Sequence, residues 1–476
     1  MNRPQRAIAS HPEGIVPAYR GLYQRLRSEI LSGRLAAGAR LPSSRTLASQ
    51  LGVARGTVEV AYQMLAGEGY TIGDGARGTI VNPALPRGKR PRSYETASGQ
   101  SDEAQPEAPV HASPLLFQPG LPALDAFPRK AWARIAVAVS RQLDFEQMAF
   151  PGHLDPMGYA PLRRAIASYL RIARDISCSA EQILITAGFQ GALGLIVQTL
   201  LEPDDKVWVE DPGYFQAHWL LRGMPLRMVG VRVDEEGLDV GAGTATHSDA
   251  ALALVTTTHQ FPLGMTLPVD RRLALLDWAD RQRAWIVEDD YDCEVHHRGL
   301  PPPALKSLDR TGRVLYVGSF SKVLFPGLRL GYVVVPAALS DRFARAARAA
   351  QPAPALMTQK LVEGFMSGGH FARHLSRMRS LYTERCKALA TALEDAMPQR
   401  LQVSLTDGGM HFVARLRGKT SAAEIVARLR AKSIGPSALS LCSLRGGGPN
   451  GLIVGYPNVA KEDAASAAQR MLAAMR

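Results

Sequence analysis

The chain has 476 residues, with 21% charged and 46% apolar, the balance of a soluble globular protein large enough for more than one domain. No apolar run approaches the ~20 residues of a membrane span, and the opening MNRPQRAIASHPEG lacks the apolar segment of a secretory signal, so a cytoplasmic protein is expected. Net charge is +13, and residues 1–92 hold 14 Lys/Arg against 5 Asp/Glu, which marks one end of the chain for nucleic acid.

Residues 17–33 place Leu22, Leu26 and Ile30 four apart, one helix face ended by Gly33. Ser43 and Ser44 can cap a second helix, SRTLASQLG, with Leu47 and Leu51 inward and Gly52 closing it. Arg55-Gly56-Thr57 opens a third helix carrying Val58, Tyr62 and Leu65 to the core. Two short helices joined by a Gly-containing turn make a helix-turn-helix, whose later helix presents its N-terminal residues to the major groove. YTIGDGARGTIV then reads as a β-hairpin around Asp74-Gly75.

LPSSRTLASQLGVARGTVEVAYQMLAGEGY and GARGTIV resemble the GntR family of bacterial regulators over roughly residues 17–82. The resemblance implies a winged helix-turn-helix over 1–82 that binds double-stranded DNA. It places Arg45, Arg55 and Thr57 on phosphates and base edges, and Arg77 and Gly78 at the wing tip. Arginine forks suit phosphate and guanine edges, and Thr at a helix start offers a hydroxyl and an N–H.

Residues 83–113 are rich in Pro, Ser, Ala and charge without a period, and read as a flexible linker. From 114 to 476 helical stretches alternate with the apolar strands QILIT, KVWVED, AALALVTTT, AWIVEDD and RVLYVGS. That alternation argues an α/β domain with a mostly parallel sheet and flanking helices, its sites at the carboxyl ends of the strands. Those ends carry Gly188-Phe189-Gln190, Tyr214, His259-Gln260-Phe261-Pro262-Leu263-Gly264 and Asp289-Asp290-Tyr291.

The next strand end, GSFSKVLFPGLRLGY, carries Ser319, Ser321, Lys322 and Arg329. A lysine in an apolar setting loses stability as an ammonium, so its pKa falls and its amine can attack a carbonyl. The hydroxyls and the arginine seven residues on suit a phosphate monoester. An aldehyde on a phosphate-bearing cofactor is pyridoxal 5′-phosphate (PLP), and a strand-end carboxylate is what its pyridine nitrogen needs.

The domain resembles a fold-type I PLP enzyme of the aminotransferase kind, and with the winged helix ahead of it the chain resembles the MocR/GabR subfamily. The resemblance implies that Lys322 forms the internal aldimine and that Asp289 pairs with the pyridinium nitrogen, with Asp290 an alternative. Tyr291 would bind the ring oxygen O3′ and Tyr214 would stack on the ring. Gly188, Phe189, Gln190, Ser319, Ser321 and Arg329 would hold the phosphate. It also implies a homodimer and a small amine, amino-acid or PLP effector.

Three positions depart from the family pattern. Phe261 replaces an Asn that contacts O3′, unless His259 or Gln260 supplies the contact. His153 stands where many relatives place a Tyr. Ile453 occupies the position of the Arg that anchors a substrate carboxylate, with Arg445 nearby. The reading that follows is a PLP-dependent transcriptional regulator; an active aminotransferase carrying a DNA-binding domain is the alternative. Four distant cysteines without a CxxC pair, and His296-His297 and His370/His374 without ligand-spaced partners, predict reduced thiols and no metal.

Overall fold

The computed structural model describes residues 18–73, 78–84, 113–149, 155–297, 302–350, 354–444 and 449–475. The chain divides into two compact units, Met1–Ala108 and Pro109–Arg476.

In the first unit, helices α1 (Ala18–Leu31), α2 (Ser44–Leu51) and α3 (Arg55–Gly67) precede strands β1 (Thr71–Gly73) and β2 (Thr79–Val81). The strands pair antiparallel, Thr71 opposite Val81. The predicted turn residues Asp74-Gly75 lie outside the described residues. Ser43 caps α2, accepting a hydrogen bond from the Thr46 amide at 3.1 Å, and Gly52 ends it at φ +65°. Leu26, Ile30, Leu41, Leu47, Ala48, Val58, Leu65 and Val81 form the core. Leu51 differs from the expectation and is exposed. Four residues advance a helix about 40° beyond a full turn, and at the end of α2 that rotation carries Leu51 off the apolar face.

In the second unit, an eight-stranded sheet among the described residues runs β3 (Ile183–Thr186), β10 (Gly331–Val334), β9 (Val314–Ser319), β8 (Trp285–Asp290), β7 (Leu252–Val255), β4 (Lys206–Asp211), β5 (Arg227–Asp234), β6 (Gly237–Leu238). Strands β9, β8, β7, β4 and β5 are parallel neighbours, whereas β10 is antiparallel to both β9 and β3. The short segment between β9 and β10 cannot make the crossover that a parallel pair needs, so the chain turns back. One face of the sheet buries Leu193 and Ile196 of the helix Gly188–Leu200 against Val207, Val287, Leu315, Val317 and Val333. On another, Trp208 stacks on Trp278, ring centroids 4.0 Å apart, among Val231, Ile286 and Val314. At about 25 cal/mol per Å² of apolar surface removed from water, such burial supplies the main drive for the layers to close.

A smaller antiparallel sheet runs β11 (Leu401–Ser404), β12 (His411–Leu416), β14 (Gly451–Gly455), β13 (Ser437–Ala438). It packs on the helix His370–Ala396 through Phe412, Leu452, Leu389 and Leu393. No helix among the described residues is long and apolar enough to cross a membrane.

Candidate functional site

The parallel strands end on one side of the sheet, and their loops border a cleft. Phe189, Tyr214, Asp289, Tyr291, Ser319 and Lys322, all expected from the sequence, line it together with Gly120, Phe261, Met410 and His411. The strands that precede them belong to one sheet, in which β8 and β9 are hydrogen-bonded neighbours, so residues up to 133 apart in sequence line one cleft.

Gly318 ends the run of buried strand residues in β9, and a Cβ there would stand 2.2 Å from the Tyr332 ring across the β9–β10 pair. The chain then turns into the short helix Phe320–Val323, with the Ser319 hydroxyl accepting from the Ser321 amide at 3.2 Å. Lys322 is half-buried, its amine facing the cleft and donating to the Gly120 carbonyl at 3.2 Å. Burial lowers its pKa, and Asp292 and Asp289 partly offset that. Gly120 sits at φ +75°, and a Cβ on it would come within 2.4 Å of the lysine nitrogen.

Two adjacent carboxylates on β8 separate by the alternation of the strand. Asp290 is paired with Arg174 at 2.8 Å and accepts from the Tyr316 hydroxyl at 2.7 Å, all buried. Asp289 lines the cleft, and no side-chain donor reaches its carboxylate among the described residues. Burial pushes its pKa well above the carboxylate range, and Asp290, Asp292 and Glu210 push the same way. Of the two, Asp289 is the carboxyl that faces a ligand; Asp290 is occupied.

Burial also raises the Tyr214 and Tyr291 hydroxyl pKa values. The Tyr214 ring stands edge-on to Phe189 at 5.7 Å and to Phe261 at 5.2 Å. Gly188 opens its helix at φ +74° with free space where a Cβ would be, and a Cβ on Gly331 would stand 3.0 Å from the Gly188 Cα. Arg329 is exposed, at φ +49°, and donates to the Gln190 side chain at 3.3 Å. Gly188, Gln190, Ser321 and Arg329 thus lie beside the cleft rather than in its lining.

The departures resolve locally. Gln260 is turned away, donating to Glu210, Pro212 and Phe261 oxygens. His259 bonds the Tyr291 hydroxyl instead of facing the cleft. Ile453 is fully buried with Phe261, Val413, Leu439 and Cys442, and Tyr214 and Tyr291 pack on that cluster. His153 and Arg445 lie outside the described residues. His297 bonds Thr383 and Tyr456, and His374 bonds the Val323 carbonyl, both ordinary structural roles. The four cysteines are free thiols.

Sequence reasoning missed Gly120, Met410 and His411. Gly120 follows a Pro, and Met410-His411 follow Gly408-Gly409, so a sharp turn was readable at each, but not its destination. His411 is buried, its pKa pushed down to about 3 by burial and by neighbouring His259, and its Nε2 lies 3.0 Å from the Pro262 carbonyl.

In the first unit, Arg45 and Arg55 are exposed on α2 and α3, and Arg55 pairs with Glu59 at 2.8 Å. Thr57 is half-buried in the first turn of α3. Ala54 precedes α3 without a side-chain cap, so the first N–H groups of that helix have no side-chain acceptor. Gly78 holds φ +93° near the exposed guanidinium of Arg40, a residue the sequence reading passed over. Arg77 lies outside the described residues.

The family model for aminotransferase class I and II matches residues 130–448, and that for bacterial regulatory proteins of the gntR family matches residues 18–81. The probable rhizopine catabolism regulatory protein MocR of Rhizobium meliloti is 35% identical over 452 residues, covering 93% of this chain and 91% of its own. The HTH-type transcriptional regulator TauR of Rhodobacter capsulatus is 34% identical over 459 residues, covering 91% of each. LysN, an alpha-aminoadipate aminotransferase of Thermus thermophilus solved with N-(5′-phosphopyridoxyl)-L-leucine, superposes with a TM-score of 0.68 at 29% identity, covering 76% of this chain and 92% of LysN. The chain belongs to the MocR-type regulators, a GntR-family DNA-binding domain joined to an aminotransferase class I and II domain.

Proposed function

We propose that this protein is a PLP-dependent transcriptional regulator: residues 1–82 read an operator, and residues 114–476 hold PLP at Lys322 and respond to a small amine, an amino acid or PLP itself. The observation that carries this is the cleft, where a lysine of lowered pKa and a buried carboxyl, Asp289, with no side-chain donor among the described residues, face one space between aromatic rings.

The residues fit the group. Asp289, its pKa raised by burial and without a side-chain donor among the described residues, would gain one from a protonated pyridine nitrogen. Tyr214 would stack on the ring and Tyr291 would hold its oxygen O3′. Ser319, Ser321, Arg329 and the N–H groups of Gly188, Phe189 and Gln190 suit the phosphate, because a helix start and a guanidinium both favour an anion. When bound, PLP supplies an aldehyde able to exchange one amine for another and a ring that withdraws electrons. Lys322 contributes the resident amine, and Gly120 keeps the space around its nitrogen clear.

An effector shifts regulation only by binding two arrangements of the protein with different affinity. A homodimer would present two winged helices to paired half-sites. On the DNA side, Arg45 and Arg55 supply exposed cations, and the uncapped start of α3 offers N–H groups to a phosphate. The buried Ile453 disfavours efficient turnover of amino acids, since an apolar wall offers a carboxylate no partner.

The test is a visible spectrum of the PLP-loaded protein. A band present in the wild type and absent in Lys322→Ala, with operator binding retained by both, is expected. No Lys322-dependent band overturns the cofactor assignment, and loss of DNA binding in Lys322→Ala overturns the separation of roles.

A further inference from the structure

Asp289, Ser319, Lys322, Phe189, Tyr214 and Tyr291 would serve the cofactor, which leaves Gly120, Phe261, Met410 and His411 of the cleft lining for whatever meets it there. These four are brought together by the small sheet. β12 and β14 pair antiparallel, with His411 opposite Gly455 and Val413 opposite Ile453. The residues between them, Phe412, Leu452 and Val454, pack on the helix His370–Ala396. His411, Val413 and Ile453 therefore turn to the other face, where Val413 and Ile453 join Phe261. The segment that leads to Gly120 crosses the same face. The Gly455 amide donates to the Phe117 carbonyl at 2.9 Å, and a Cβ on Gly455 would stand 2.2 Å from the Gln118 carbonyl oxygen.

This side of the cleft has no partner for an acid. Lys322 is the only cationic side chain in the lining among the described residues. Phe261 is backed by Val413, Leu439, Cys442 and Ile453, all buried. The His411 Nε2 lies 3.0 Å from the Pro262 carbonyl, which can only accept, so that nitrogen carries the proton. Burial and the neighbouring His259 push the His411 pKa down to about 3, so the ring is neutral and its lone pair sits on Nδ1. Besides burial, Asp290, Asp292 and Glu210 raise the pKa of Asp289, so the field at the cleft already opposes another negative charge. A carboxylate entering here sheds its water and gains no cation in return, whereas a hydroxyl sheds less and finds an acceptor in Nδ1.

We propose that the effector is a small primary amine that carries a hydroxyl and no carboxylate, an amino alcohol in chemical class, with its hydroxyl donating to His411 and its carbon frame against Phe261 and Met410. The inference rests on the reading of the cleft as a PLP site and narrows it: among amines, amino acids and PLP itself, the lining selects the amine.

The experiment is a titration of the visible band of the full-length, PLP-loaded protein with alaninol, alanine and isopropylamine. The three share one carbon frame and differ only in a hydroxymethyl, a carboxylate or a methyl on the carbon that bears the amine. Each half-shift concentration is divided by that for the same compound with PLP in solution, which removes differences in amine basicity. Alaninol is expected to act at a concentration at least about tenfold below alanine, with isopropylamine between them. His411→Leu is expected to raise the alaninol value about fivefold, to that of isopropylamine, and to leave alanine the weakest. Operator binding by the wild type is expected to change with alaninol and not with alanine at the same concentration. Alanine acting at or below the alaninol concentration overturns the proposal, as does an alaninol value unmoved in His411→Leu or an equal response of operator binding to both compounds. Absence of any Lys322-dependent band overturns the PLP reading itself, whereas a Lys322-dependent band that alanine shifts first overturns only the choice of effector.

Discussion

Asp289 and Asp290 are consecutive, both buried, and separable by one pair of substitutions. Asp290→Asn removes the countercharge from Arg174, whose side chain is 1% exposed. The guanidinium keeps its bonds to Pro302 and Thr258 oxygens, each 2.8 Å, but loses its only carboxylate partner among the described residues. Breaking one side of a buried pair costs about 3–5 kcal/mol. The unit Pro109–Arg476 has 368 residues. At about 2.1 cal/mol/K of unfolding entropy per residue, each kcal/mol moves its midpoint by about 1.3 °C, so a fall of about 4–6 °C is expected. Asp289→Asn removes a carboxyl that burial already disfavours in its charged form, so the midpoint without cofactor is expected to hold or rise, while the PLP band is lost. The assay is thermal unfolding by circular dichroism without added PLP, paired with the visible spectrum with PLP. If Asp290→Asn melts like wild type, or Asp289→Asn is the variant that loses several degrees, the division of labour between them is wrong.

Other outcomes follow from single features. Burial raises the Glu294 carboxyl to about 7 from 4.5. The folded state therefore binds its proton more tightly than the unfolded state, and this group's contribution to stability falls as pH rises from about 4.5 through about 7. Glu294→Gln, which keeps an acceptor for the Tyr169 hydroxyl, is expected to show a smaller fall in melting temperature across that window; an unchanged fall refutes it. Gly120→Ala places a methyl 2.4 Å from the Lys322 nitrogen and is expected to weaken PLP uptake at least tenfold, about 1.4 kcal/mol, by titration of the visible band. Arg45→Ala and Arg55→Ala are each expected to lower the slope of log affinity against log salt by about one, measured on operator DNA; an unchanged slope removes that residue from the phosphate contacts.

The winged-helix elements and the order of strand-end residues were legible because each depends on local pattern. Ser43 capping α2, Gly52 ending it, and Gly318 ending the buried run of β9 are dictated within a few residues. What the sequence left open was long-range. The alternation of side chains along β8 was readable, but which face met the cleft depended on Arg174, 116 residues away. His259 could be suspected as a cleft residue, but Gly264 and Gly409 together aim its ring elsewhere, and Gly409 lies on the approach to the small sheet. Gly120 and Met410 carry no chemistry of their own, so nothing but their placement marks them.

That placement has a biosynthetic consequence. The cleft takes one wall from Gly120 and another from Met410 and His411, nearly three hundred residues later on the ribosome's timetable. Closing so long a loop is slow, and it follows most of the translation of the unit. A product truncated before β12 lacks that last wall altogether. Whatever small molecule loads into the finished cleft therefore meets its whole lining only once synthesis has passed His411.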